Sequence, residues 1–313
     1  MTRLVELQGQ IASMGELLDI VGAMRSLAGM RAQEAQHALP GVSRYADSMA
    51  AAVGAALMLL PEPVPQPERA HRAFILCASE HGFVGGFNER LLEAAEAVLK
   101  PDDLLFMLGS RGAALAVERG RKVVWARPMA THLTGVADAV DHLAGELYAR
   151  IVRGEVSSVA VMFGRSAQRA GAATIAQRLL LPLDVKALSA AQPRQPPLHN
   201  LAPRPLVEKL MAEYVFALLT EAAVESIASE NAARFAAMDS AHDNVTKKLS
   251  QLRQTARQER QSEITSELLD LITGAEAIVK PQRERHGRMR LETANTENFG
   301  RPPRGDVVLR RTP

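Results

Sequence analysis

The stretch EHGFVGGFN, residues 80–88, is where residue types in this chain come nearest to a recognisable chemistry. Three glycines lie between a strand-like apolar run and a helix-like segment. That is where a phosphate can be cradled, because backbone N–H groups there are not obstructed by Cβ atoms. The spacing fits neither common form. No Lys-Ser/Thr follows the glycines, and the order is not G-x-G-x-x-G. The next apolar run, LLFML, ends in Gly109-Ser110-Arg111, with no acid placed to hold a ribose. The stretch therefore reads as a tight strand-to-helix turn with close backbone approach, not as a nucleotide site. Ser79, Glu80 and His81 are neighbours, but nothing in the sequence completes a catalytic arrangement. The eight histidines are scattered, without H-x-x-x-H spacing or a paired cysteine, so no metal site is expected. Cys77, the single cysteine, excludes an internal disulfide and fits a reducing compartment. Within RAFILCAS it reads as a small buried apolar residue. No catalytic residue and no cofactor is expected.

The elements that would hold this loop form an α/β region over 72–186. AFILCAS, LLFML, KVVWAR and SSVAVMFG are short apolar runs suited to buried strands. Helical segments near 88–99, 110–119 and 134–153 alternate with them, which predicts a Rossmann-like parallel-sheet domain. ATIAQRLLLPL is a candidate edge strand. The bulk numbers narrow the partners. A net charge of +2 over 313 residues argues against nucleic acid as the main partner. No run of about 18 apolar residues is present, so no membrane span is expected. Glu6, Gln8 and Gln10 break any apolar core that a signal peptide would need at this N-terminus. Aromatics are only 4% of the chain, while Ala, Leu, Glu, Arg and Gln abound, a composition of long helices.

Two long helical stretches flank the α/β region. Residues 1–60 form an N-terminal coiled-coil helix with a heptad repeat over 3–39: Leu4, Ile11 and Leu18 form one column, Leu7, Met14 and Val21 the other. The repeat changes character at Met24-Arg25, with Arg25 falling on the column. Pro40-Gly41 should kink or end this helix, which resumes over about 43–60. PEPVPQPER makes 61–71 an extended linker, and 187–205 is a second Pro-rich one. Residues 206–279 then keep helical periodicity, with Phe235, Met238, Val245, Leu249 and Leu252 as seam residues and His242 as a tolerated polar one. One helix of that length would span roughly 110 Å, far beyond a domain diameter, so a shaft is implied. Between 251 and 263 it is polar on nearly every face, and the seam fades at Ala256. A helix of that kind bridges domains or passes through an opening. Ile264, Leu268, Leu271, Ala275 and Ile278 then form a separate apolar stripe. The tail, 280–313, has nine Lys/Arg against four Asp/Glu and is expected to be mostly disordered.

The C-terminal stretch resembles the gamma subunit of F-type ATP synthases. The family signature, Ile/Val-Thr-x-Glu followed by an acid and Gly-Ala, is filled by Ile264, Thr265, Glu267, Asp270, Gly274, Ala275 and Ala277. ASENAARFAAMDSAHDN (228–244), IVGAMRSLAGMRAQEAQ (20–36) and GFVGGFN (82–88) are similar to three further family segments, and coverage is about 1–279. The resemblance implies a rotor shaft. The N- and C-terminal helices would form an antiparallel coiled coil inside a ring of alpha and beta subunits. The α/β domain would stand as a foot on the membrane c-ring, with an epsilon subunit as a further partner. It implies no catalytic residue and no bound nucleotide on this chain. It places Met24, Arg25, Arg234, Gln261, Thr265 and Glu267 at shaft–stator contacts, Arg234 and Gln261 hydrogen-bonding a loop of beta. It also implies a peripheral location on the cytoplasmic face of the inner (plasma) membrane, with the tail at the crown of the ring.

The sequence departs from the family pattern in places. Gly22 stands where the family has Lys, Gly29-Met30-Arg31 where it has Ser-Lys-Met, and Val245-Thr246 where it has glycines. Leu201-Ala202-Pro203 lacks the usual acid, which bears on the foot contact, and the tail runs about 34 residues past the usual end. These departures point to a divergent branch such as the hydrolytic N-type ion pumps. A reading of another class is an α/β-domain enzyme with a coiled-coil arm; the missing phosphate motif and catalytic constellation weigh against it. The signature at 264–277 weighs against a scaffold unrelated to ATPases.

Overall fold

The computed structural model describes residues 2–60, 70–165, 174–184, 188 and 197–296, with backbone alone at 2 and from 276 onward. The backbone divides into two units, Glu16–Thr246 and a smaller one of Met1–Gly15 with Lys247–Pro313.

In the larger unit the five apolar runs are strands: β1 (His71–Cys77), β2 (Leu104–Leu108), β3 (Val123–Arg127), β4 (Val156–Arg165) and β5 (Thr174–Leu181). They make one sheet in the order β3-β2-β1-β4-β5. All neighbours are parallel except β5, which runs antiparallel along one edge. Strand side chains alternate between faces. Ala73, Ile75 and Cys77 of β1 therefore enter one core, and Phe74 and Leu76 the other. The second face is closed by α2 (Phe87–Glu96) and α3 (Ser110–Glu118), through Leu91, Leu92, Ala95 and Ala116. The first face is closed by α4 (Val136–Val152), whose Val136, Val140, Leu143 and Leu147 recur at helical spacing. Parts of two long helices, α1 (Thr2–Leu57) and α5 (Pro203–Thr296), pack on that same face.

Helix α1 is not interrupted at Pro40, contrary to the local rule: it is a single element from Thr2 to Leu57. Proline inside a helix costs about 3 kcal/mol. On the opposing side, Ala35 and Ala46 are buried, and Leu39, Val42 and Met49 pack against the sheet core at the same helical spacing. Each large apolar side chain fully buried is worth about 1.5–3 kcal/mol. Three of them, though only partly buried, outweigh one missing backbone bond. Pro40 itself is exposed, and Arg44 Nε donates to its carbonyl at 3.1 Å.

Within this unit α1 and α5 run antiparallel. Arg25 Nη1 donates to Asp239 Oδ1 at 3.0 Å, and four residues further along, Gly29 lies beneath Phe235. The packed side of α1 turns from Val21 to Ala28, Ala32 and Ala35, all buried. Pairing thus continues beyond Arg25 through small residues, where the large-residue heptad ends.

In the smaller unit, Leu4, Leu7, Ile11 and Met14 are half-buried, while Leu249 and Leu252 of α5 are buried. Arg3 Nε lies 3.1 Å from Glu259 Oε1. Glu259 and Glu263 are the last described residues of α5 to be partly covered, and those from 264 to 275 are exposed.

The ends of α5 differ from expectation. It begins at Pro203, inside the expected linker, where a first-turn proline lacks only an N–H that would be unpaired anyway. It does not stop at 279: the backbone stays helical through Thr296, over the first half of the segment expected to lack structure. Gln, Arg, Glu, Met and Leu between 282 and 292 are good helix formers and carry the helix past Pro281 and Gly287. Residues 297–313 lie outside the described residues, as do 61–69, 187 and 189–196 of the two expected linkers.

Candidate functional site

The glycine-rich loop between β1 and α2 does not present an open anion cradle. Asn88 Oδ1 accepts the Ser79 N–H at 3.0 Å, and Asn88 Nδ2 donates to Ser79 Oγ at 2.7 Å. Ser79 Oγ donates to the His81 carbonyl at 3.0 Å. Glu80 accepts the backbone N–H groups of Ser110 and Met129, each at 2.9 Å, tying the ends of the sheet's helical connections together. Burial alone would raise the Glu80 carboxyl, but these donors, with the Ser110 hydroxyl, outweigh it and hold the group below its ordinary value. Ser79, Glu80 and Asn88 thus have structural roles that their types alone did not reveal. Among the described residues, no group of three His, Cys, Asp or Glu comes together that could hold a metal ion. No described helix is long and apolar enough to cross a membrane.

The residues expected at partner contacts fall into two groups. In the larger unit, Met24 is half-buried and Arg25 is ion-paired to Asp239. Leu18 is half-buried, Val21 and Met238 are buried, and Val245 is half-buried. His242 Nδ1 lies 3.8 Å from Asp243 Oδ1. Phe235, expected inside the seam, is 42% exposed. A Cβ on Gly29 would come within 3.2 Å of its ring. The ring thus takes up the space that a side chain at 29 would need, so Gly29 is matched to Phe235 inside the chain.

Arg234 is held differently from the other residues expected at contacts. Expected to face a partner, it is only 8% exposed. Its Nη2 donates to Glu230 Oε1 at 2.7 Å and its Nη1 to Asn231 Oδ1 at 3.0 Å. Its Nε and Nη2 reach the Gly82 carbonyl at 3.4 and 3.5 Å, and Nη2 the His81 carbonyl at 3.4 Å. Burial raises the Glu230 carboxyl, and the Arg234 charge opposes that without cancelling it. The guanidinium is thus committed to its own chain.

A further surface on α1 escaped the sequence reading, which placed only Met24 of it, with Arg25 beside, at a contact. Leu17, Ile20, Leu27 and Met30 are all exposed, and with Met24 they form an apolar strip beside the packed seam. The signal was available as a second column at spacings of three and four.

In the smaller unit Gln261, Thr265 and Glu267 are all exposed. Thr265 Oγ1 donates to the Gln261 carbonyl at 2.8 Å, so its hydroxyl turns back on its own helix. Arg257 and Arg260 are exposed on the same stretch, cations the earlier reading did not single out. Among the described residues nothing covers the stripe beyond: Ile264, Leu268, Leu269, Leu271 and Ile272 are 53–70% exposed. Gly274 has no atom within 4 Å of where its Cβ would stand. A row of large apolar side chains left in water is the mark of a surface meant to be covered.

The comparisons with known proteins agree with this architecture. The sequence pattern of the family described as ATP synthase matches residues 3–278. The ATP synthase gamma chain of Dechloromonas aromatica is 26% identical over 288 residues, covering 87% of this chain and 98% of the relative. That of Acidovorax sp. is 26% identical over 290 residues, with the same coverage. Among solved structures, a chain of the Euglena gracilis mitochondrial ATP synthase OSCP/F1/c-ring assembly aligns with a TM-score of 0.61 at 13% identity. It covers 98% of this chain and 99% of its own length. A chain of the rotor from the same organism aligns with a TM-score of 0.56, also at 13% identity, covering 84% and 99%. At those identities the likeness is one of fold. Joined to the match over residues 3–278, it leads to one assignment: the chain belongs to the ATP synthase gamma chain family.

Proposed function

We propose that this chain is the central stalk of an F-type ATP synthase or ATPase, a rotor shaft with no catalytic group of its own. Turning inside a ring of alpha and beta subunits, it makes ATP synthesis or hydrolysis there depend on ion flow through the membrane c-ring. The α/β domain forms its foot on that ring beside an epsilon subunit, at the cytoplasmic face of the inner (plasma) membrane. Coupling requires a shaft whose interaction free energy differs between beta conformations. The observation that carries this reading is the uncovered stripe from Ile264 to Ile272, on a helix that has already left its partner helix. Gln261, Thr265 and Glu267, with Arg257 and Arg260, supply polar contacts just before or within it. Met24, Arg25 and the apolar strip on α1 supply a second contact zone. Arg234 is left out of the contact set because its guanidinium is held inside.

A second reading, the gamma subunit of a hydrolytic N-type ion pump, is favoured by the rearranged positions Gly22 and Gly29-Met30-Arg31. Both readings predict that the chain co-purifies with alpha and beta subunits and that ATP-driven ion pumping needs it. Replacing Leu268 and Leu271 by Ser should leave the chain folded, since both are exposed, but impair assembly or pumping. If pumping by the assembled complex is the same with and without this chain, the stalk reading fails.

A further inference from the structure

The loop between β1 and α2 is held from three sides. Glu80 fixes one end to the N–H groups of Ser110 and Met129. Asn88 closes the base on Ser79. The third hold comes from the long helix, where Arg234 reaches the carbonyls of His81 and Gly82. At the tip, Phe83 adopts φ 61°, a left-handed conformation that a bulky side chain rarely takes. The residue is 68% exposed, while the next one, Val84, is buried. An apolar ring is thus held out in water by a backbone that such a residue would not choose, and the loop beneath it is fastened at three points.

We propose that Arg234 is a positioning residue: it fastens the loop 79–88 to α5, so that the exposed Phe83 turns with the long helix as part of one body. This inference rests on the central-stalk reading. The residue type suits the task. A planar guanidinium offers five N–H donors and engages Glu230, Asn231 and two backbone carbonyls at once. The carbonyl contacts at 3.4–3.5 Å are individually weak. The short bond to Glu230, in a site closed to water, sets the plane of the group and aims it at them. A lysine would keep the charge but could not span the same four partners. The same fastening explains why a residue so buried carries a charge here.

The test uses the full-length chain carrying a nitroxide at position 83 (Phe83→Cys) or, as a control, at exposed Val117 on α3 (Val117→Cys). Cys77 takes no label in the folded chain, because it is buried and its thiol is pushed up to about 12 by that burial. Into each background goes the double substitution Arg234→Met with Glu230→Leu. Removing both charges together leaves neither Glu230 nor Arg234 as a buried partnerless ion, and Arg31, the other cation acting on Glu230, is only partly buried, so the fold is kept while the fastening is lost. The expected result is a rotational correlation time at 83 shortened about threefold, toward free side-chain motion. The spectrum at 117 and the thermal midpoint should stay close to the parent values. Arg234→Lys should give an intermediate value at 83. An unchanged spectrum at 83 overturns the proposal, and so does equal loosening at 83 and 117, which would report general unfolding. Without labels, the double variant is then assembled with alpha and beta subunits. ATP hydrolysis should persist while ion pumping falls by severalfold. A loosened loop with fully coupled pumping overturns the role of Arg234 in the rotor and leaves the stalk reading standing. Failure of the unsubstituted chain to assemble strikes the stalk reading, while the spectra still judge the fastening.

Discussion

Gly112 stands third in α3, and a Cβ placed on it would lie 2.1 Å from the Cβ of Ala78. Ala78 Cα and Asn88 Oδ1 would each be 3.5 Å away. Non-bonded carbons rest about 3.5–4.0 Å apart, so Gly112→Ala requires α3 or the end of β1 to give by about 1.5 Å. Ala78 has no side-chain torsion to turn, and its N–H is held by the Leu108 carbonyl at 2.8 Å. Overpacking of this kind costs about 1–3 kcal/mol. Against it, alanine in a helix interior gains up to about 1 kcal/mol over glycine, and less so near an end. The net expectation is a loss of about 1–2 kcal/mol. Gly145→Ala is the matched control. It lies inside α4, with no atom within 4 Å of the new Cβ, and should gain about 0.5–1 kcal/mol. Urea unfolding followed by circular dichroism, at equal m-values, should place the two midpoints on opposite sides of the parent protein. A Gly112→Ala chain that unfolds at or above the parent midpoint would refute the close approach of α3 to β1.

Three further outcomes are expected. Pro40→Ala should raise the urea midpoint, by up to about 3 kcal/mol in stability, since it restores a missing bond in an unbroken helix; no gain would mean that α1 is bent there. Glu80→Gln should cost about 1 kcal/mol at neutral pH, the difference between charged and neutral hydrogen bonds. Because the folded-state pKa of Glu80 is lowered, its contribution is present above the ordinary value near 4.5 and is lost as pH falls through the folded value. The gap between the two proteins, measured by denaturation across pH, should therefore close in acid; a gap independent of pH would contradict the charged contacts. Cys77 should resist alkylation at pH 8 in the folded chain and react on unfolding, and rapid native labelling would show that β1 is open.

Much of the α/β region was legible because its signals are local. Alternating apolar runs such as SSVAVMFG carry the period of a strand, and Val136, Val140, Leu143 and Leu147 carry that of a helix. All five strands and all three intervening helices lie where those periods place them. What was not legible depends on partners far along the chain. The penalty at Pro40 is a property of the residue; its compensation through Leu39, Val42 and Met49 exists only once the sheet core is built. Arg234 looks like any surface cation in a heptad, and its carbonyl partners lie about 150 positions earlier. Phe235 occupies a seam position by count, but the residue its ring comes closest to filling is Gly29, where a side chain would meet it. The stripe from Ile264 onward was visible as periodicity, yet periodicity cannot distinguish a face covered by its own chain from one left bare.

That bare face has a consequence for how a cell must handle the chain. Five adjacent large apolar side chains on a free helix are sticky to chaperones, to membranes and to other copies. On the central-stalk reading, a surplus of this chain over its partners would therefore be a burden, because a lone copy keeps the stripe in water. That reading makes synthesis in step with the partner subunits, or removal of the excess, a counterpart of the stripe.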